Sequence, residues 1–97
     1  MSDEKIFLPM QHAKVDEFAE LMKAKLTANR RKGHWGNETI EYLLRRLNEE
    51  MAELFDAIAT NRPYSEIGEE AIDVANFAMM IADRYGFKNI EVTDDEK

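Results

Sequence analysis

The 97-residue sequence contains no cysteine. That excludes disulfides, thiolate metal sites, and haem or iron–sulfur ligation through cysteine. Histidine is scarce: His12 and His34 stand far apart. No apolar run reaches the roughly 18 residues of a membrane span. The start Met1-Ser2-Asp3-Glu4 is acidic and unlike a signal peptide. These features lead to the expectation of a soluble, cytoplasmic protein. Positive charge is also short, with 13 Lys and Arg against 20 Asp and Glu and a formal net charge of -7. Such a chain lacks the electrostatic footprint of a duplex-nucleic-acid or anionic-membrane binder. If it handles a polyanion, a cation must mediate.

Hydrophobic residues make up 44% of the chain and charged residues 34%, which suits one folded domain over 1–97. Residues 1–13 contain Pro9 and read as an irregular lead-in. Val15, Phe18, Ala19, Met22 and Leu26 have helical spacing, giving a first helix over about 14–30. Arg30-Arg31-Lys32-Gly33-His34-Trp35-Gly36-Asn37 reads as a basic, glycine-containing loop. Asn37 is a candidate cap for a second helix, about 37–60, with a heptad seam of Ile40, Leu44, Leu47, Met51, Leu54 and Ile58. Ser65 is a candidate cap for a third, about 65–85, which Gly86 terminates. Between Ala71 and Ala82 only Asp73 and Asn76 are polar, so this helix is expected to be covered on several sides, partly by another subunit. Residues 88–97 read as a frayed acidic tail. The fold expected is all-α: an antiparallel bundle of three helices completed by oligomerisation.

The chemistry concentrates in two carboxylate pairs. Glu50/Glu53 and Glu70/Asp73 each have i, i+3 spacing, which stacks both acids on one helix face. The two pairs are equidistant from the Asn61-Arg62-Pro63 turn, so an antiparallel hairpin sets them level. Glu49 points almost opposite the seam at about 100° per residue. Clustered acids in a poorly solvated place need protons, basic partners or a cation. One reading pairs them with arginines such as Arg46 and Arg84. The other is a metal site of hard oxygen ligands, suited to Mg2+ or Mn2+ and unsuited to zinc or copper.

Glu49-Glu50-Met51-Ala52-Glu53 followed, sixteen residues on, by Glu70-Ala71-Ile72-Asp73 resembles the EExxE and ExxD motifs of the MazG-like all-α nucleoside triphosphate pyrophosphohydrolases. The resemblance spans about Arg30 to Gly86 and includes the tryptophan ahead of the second helix. It implies cleavage of a nucleoside triphosphate to monophosphate and pyrophosphate. It implies magnesium on Glu50, Glu53, Glu70 and Asp73. It also implies that one of these acids, or Glu49, orients or deprotonates the attacking water, and that the protein is a homodimer or homotetramer. Gly33-His34-Trp35-Gly36 stands where some members have Cys-Pro-Trp-Asp, so the base-recognition loop does not carry over.

Lys32 or Arg31 can reach terminal phosphates, and Trp35, with His34 beside it, can stack on a base. The same segment can instead be a basic helix end with Trp35 plugging the core. Asn76 is either a sugar-contacting group or a hydrogen-bonded core residue. The alternative to an enzyme is a non-catalytic helical oligomeric interaction protein whose acids form salt bridges. A DNA-binding or antitoxin-like module conflicts with the acid excess.

Overall fold

The computed structural model describes residues 2–93. It is all-helical, with no strand among the described residues: α1 spans Ser2–Ala28, α2 Ile40–Ala59 and α3 Tyr64–Tyr85, with short 3-10 turns at Arg30–Lys32, Trp35–Asn37 and Phe87–Asn89. None of the described helices is long and apolar enough to cross a membrane.

The expected irregular lead-in is incorrect, because α1 begins at Ser2 and runs through Pro9. Proline costs about 3 kcal/mol inside a helix because it removes one hydrogen bond and crowds the preceding turn. The surrounding residues favour helix strongly enough to absorb that. Glu4 complements the positive N-terminal end, and the helix propagates without interruption from the segment beyond Val15. From Glu4 to Glu17 every side chain is exposed, including Ile6, Phe7, Leu8, Met10 and Val15. Packing begins at Phe18. The half-buried stripe is Phe18, Ala19, Met22, Lys25, Leu26 and Asn29, so Val15 is not part of it and Lys25 is.

Helix α2 starts two residues later than a cap at Asn37 would set it. Thr39 is the cap, its hydroxyl accepting from the Tyr42 N–H at 3.1 Å, while Asn37 lies in the preceding 3-10 turn. At its other end, the Asn61 N–H donates to the Ile58 carbonyl (3.2 Å) and the Arg62 N–H to that of Ala57 (2.9 Å). With Asn61 at φ 55, this is the paired closure of a Schellman motif, and asparagine tolerates the left-handed conformation it needs. Pro63 (φ -55) follows at once and leads directly into α3. Ser65 is therefore inside the helix, and no side chain caps α3. Gly86 ends α3 at φ 87, as expected.

Helices α2 and α3 pack along each other, and α1 packs on α3. The inner face of α2 is Leu43, Leu47, Glu50, Leu54 and Ala57, spaced four, three, four and three. This shifts the seam about 60° from the one the heptad suggests, with Leu47 and Leu54 common to both. Leu44, Met51, Phe55 and Ile58 instead form an exposed apolar row, with Phe55 77% accessible. The fully buried apolar side chains among the described residues are Leu43, Ala57 and Ile72, joined by two polar ones, Glu50 and Asn76. The tail makes the Phe87–Asn89 turn and has no regular structure from 90 to 93; the remainder lies outside the described residues.

Candidate metal centre

Glu50 comes from the middle of the α2 seam and Glu70 from the facing side of α3, with Glu53 one turn beyond Glu50. One carboxylate oxygen from each lies within 4.8 Å of the others. The level pairing across the hairpin is therefore realised for these three acids. Glu50 is 5% exposed, Glu70 half-buried and Glu53 exposed. Glu50 Oε1 and Glu70 Oε1 are buried with no hydrogen-bond partner.

Two orphaned carboxylate oxygens within one cluster of acids are costly in a poorly hydrated place. Glu70 registers that cost. Burial, then the neighbouring Glu53, Glu50 and Asp73 charges, raise its pKa above the ordinary value. A divalent cation would satisfy both orphaned atoms and cancel the repulsion. An all-oxygen donor set with no histidine or cysteine fits magnesium or manganese by chemistry.

The fourth expected ligand is held elsewhere. Asp73 is outside the three-acid cluster and is paired with Lys25, whose Nζ lies 3.1 Å from its Oδ1. Lys25 also approaches Glu69 at 3.7 Å. Burial opposes the ammonium, but the hydrogen bond to Asp73 and the charges of Asp73, Glu69 and Glu70 outweigh it and raise the lysine's pKa. Glu49 points away and is engaged by Arg45 and Arg46, and their hydrogen bonds hold its pKa below the carboxylate norm. Arg46 also donates to Glu50 Oε2 at 2.8 Å and lies 5.0 Å from the centre of the Phe77 ring. Arg84 is not an acid's partner in this site; it donates to the Glu38 carbonyl.

A cleft of about 400 Å3 opens beside the cluster, and Glu50 belongs to both. Asp73, Lys25 and Arg46 line it, as do Lys32, His34, Trp35 and Asn76, the four residues singled out for substrate contact. Tyr42 and Phe77 add aromatic surface, and Arg30 adds charge. Arg31 is exposed and is not part of the lining. Trp35 is tied to α3 by its indole N–H, which donates to Asp83 Oδ2 at 2.9 Å. Its ring meets His34 at 4.6 Å between centroids. Gly36 permits this fold-back, since a Cβ there would stand 2.8 Å from the His34 ring.

Asn76 is 3% exposed. Its amide donates to the Met22 carbonyl at 3.3 Å, while Oδ1 has no partner. It is thus a core residue and a cleft residue together. Lys25 is the residue the sequence reading missed. Its signal was a cation on an apolar stripe, between Met22 and Leu26, where a lysine needs an acidic partner.

Comparison with known proteins yields no matching family model, no similar curated protein and no similar solved structure.

Proposed function

We propose that this chain is a magnesium-dependent nucleoside triphosphate pyrophosphohydrolase of the MazG-like kind, removing unwanted nucleotides in the cytoplasm. The observation that carries the reading is the pair of buried, partnerless oxygens on Glu50 and Glu70, the first of these residues lining a cleft that also presents Lys25, Arg30, Lys32 and Trp35. An acidic protein gains from such a layout the means to hold a polyphosphate next to its own carboxylates.

Glu50, Glu53 and Glu70 would hold the ion, with Asp73 joining if it leaves Lys25. When bound, magnesium or manganese supplies charge neutralisation for the triphosphate and the departing pyrophosphate. Water attacks the α-phosphorus, the α–β bridging bond breaks, and monophosphate and pyrophosphate leave. Glu53 is the exposed member of the cluster and is placed to take the proton from the attacking water. Glu49 is poorly suited to that role, because Arg46 and Arg45 occupy its oxygens and lower its affinity for a proton. Lys32 and Arg30 bind phosphate, and Trp35 with Tyr42 flanks the base.

The exposed row Leu44, Met51, Phe55 and Ile58 supports an oligomer, a homodimer or homotetramer in which copies of the chain complete an antiparallel bundle. Three buried apolar side chains among the described residues are little for a chain of this length, and a second copy would supply what is lacking.

The test is pyrophosphate release from a panel of ribo- and deoxynucleoside triphosphates, with and without Mg2+. Turnover of at least one is expected; none, in a folded preparation, overturns the proposal. The Arg46–Glu50 and Lys25–Asp73 pairs favour the second reading, a non-catalytic helical interaction protein. Replacing Glu53 and Asp73 by alanine separates the two. An enzyme loses activity and metal binding with its helicity intact, whereas a scaffold changes only in stability.

A further inference from the structure

Two cations serve the acids of the centre, and they are held differently. Arg46 is fixed on its own helix, bonded to Glu49 and Glu50 and set over the Phe77 ring. Lys25 reaches across from α1, a separate element. Its contacts run to Asp73 at 3.1 and 3.3 Å and to Glu69 at 3.7 Å. The lysine and Asp73 are both about three-quarters covered, at 25% and 23% side-chain exposure. Both line the cleft that Glu50 shares with Lys32 and Arg30.

Asp73 stands one turn from Glu70, at i+3, where its carboxylate adds to the charge that burdens Glu70. Lys25 offsets that charge by occupying Asp73. A divalent cation on Glu50, Glu53 and Glu70 would offer Asp73 a stronger partner. The ammonium would then be left part-buried and without a counterion, which is unfavourable unless an anion takes the place of Asp73. A lysine is a mobile point charge on a flexible stem and a common phosphate binder. The anion available in the same cleft is the polyphosphate.

We propose that Lys25 is a phosphate-binding residue that Asp73 holds before substrate arrives, and that it exchanges this carboxylate for the substrate's phosphate oxygens when the acidic cluster takes up its cation. The proposal rests on the reading of Glu50, Glu53 and Glu70 as a cation site. It makes the lysine both a competitor of the metal for Asp73 and a partner of the ligand.

The two roles have opposite signatures in Lys25→Met, measured by calorimetric titration. Mn2+ alone should bind more tightly than to the wild type, by about threefold or more, because Asp73 is released. Inorganic pyrophosphate, titrated with Mg2+ saturating, should bind about tenfold more weakly or worse, because a charge-assisted hydrogen bond is lost. Lys25→Arg should restore pyrophosphate binding. A merely structural salt bridge would lower the thermal midpoint and leave both affinities alone. If wild-type protein binds Mn2+ and either affinity is unchanged in Lys25→Met, the exchange is overturned while the cation site stands. If wild-type protein binds no Mn2+, the cation site falls and the exchange with it. Should Lys25→Met fail to fold, Lys25→Gln gives the same two readings, because its neutral amide holds Asp73 only weakly against a cation and brings no charge to the phosphate.

Discussion

Arg46 satisfies one oxygen of Glu50 and leaves the other bare: its Nη2 donates to Oε2 at 2.8 Å, while Oε1 is buried with no partner. Arg can grip a carboxylate with two parallel bonds, and that geometry would have satisfied both oxygens. Arg46 spends its other nitrogen on Glu49. Glu50 thus keeps an unpartnered buried oxygen while its carboxylate lies within 4.8 Å of those of Glu53 and Glu70.

Glu70→Gln tests whether the cluster carries uncompensated charge. Without divalent cation at neutral pH, the variant should melt at a higher temperature than wild type, since it removes a buried like charge. Added Mg2+ should raise the midpoint of the wild type and leave that of Glu70→Gln nearly unchanged. Thermal denaturation with and without Mg2+ measures both.

The same residue sets a pH dependence. Its folded-state pKa is raised above the ordinary 4.5, so the folded protein holds this proton more tightly than the unfolded chain. The resulting stabilisation is fully present below 4.5 and is lost as pH rises through the raised value. Glu49 shifts the other way, and its contribution is lost only as pH falls below the ordinary range. Metal-free wild type should therefore lose stability more steeply than Glu70→Gln as pH rises above 4.5. Denaturant midpoints across that range decide it.

Trp35 is the chain's single tryptophan and lines the cleft. Its fluorescence should be quenched or shifted when a nucleotide with Mg2+ stacks against it. Trp35→Phe keeps an aromatic face but loses the bond to Asp83, and should weaken nucleotide binding several-fold. An unchanged emission spectrum through a full titration that binds by calorimetry would place the base elsewhere.

Asn76→Ala removes the side-chain donor that the Met22 carbonyl has beside its bond within α1, and opens a gap in the core. A loss of about 1–3 kcal/mol in unfolding free energy is expected. If Oδ1 also receives a donor from the ligand, the affinity for nucleotide should fall as well. Chemical denaturation and nucleotide titration read the two effects separately.

Phe55→Lys places a charge in the middle of the exposed α2 row. Sedimentation velocity should show an oligomer for the wild type and a smaller species for the variant. A monomeric wild type would leave the row to some other occupant.

The sequence by itself determined the helices, their number and most of their ends, because periodicity, Gly86 and the Asn61-Arg62-Pro63 turn are local signals. It also determined which acids share a turn, since i, i+3 spacing follows from helix geometry alone. It could not rank Asn37 against Thr39, since both are good caps and only the path of the chain after Trp35 chooses between them. Nor could it show that α1 absorbs Pro9, where one residue's cost competes with the summed preference of its neighbours. The apolar side of α2 is wide enough for two seams, so which one faces α3 is decided by tertiary packing. That packing buries Glu50 in the inner seam and leaves Phe55 outside. Only the placement of α1 against α3 revealed Lys25, and with it the division of four candidate ligands into a cluster of three and an ion-paired Asp73. Spacing along a helix places acids on a common face, but the counterion that reaches one of them comes from 48 residues away in sequence.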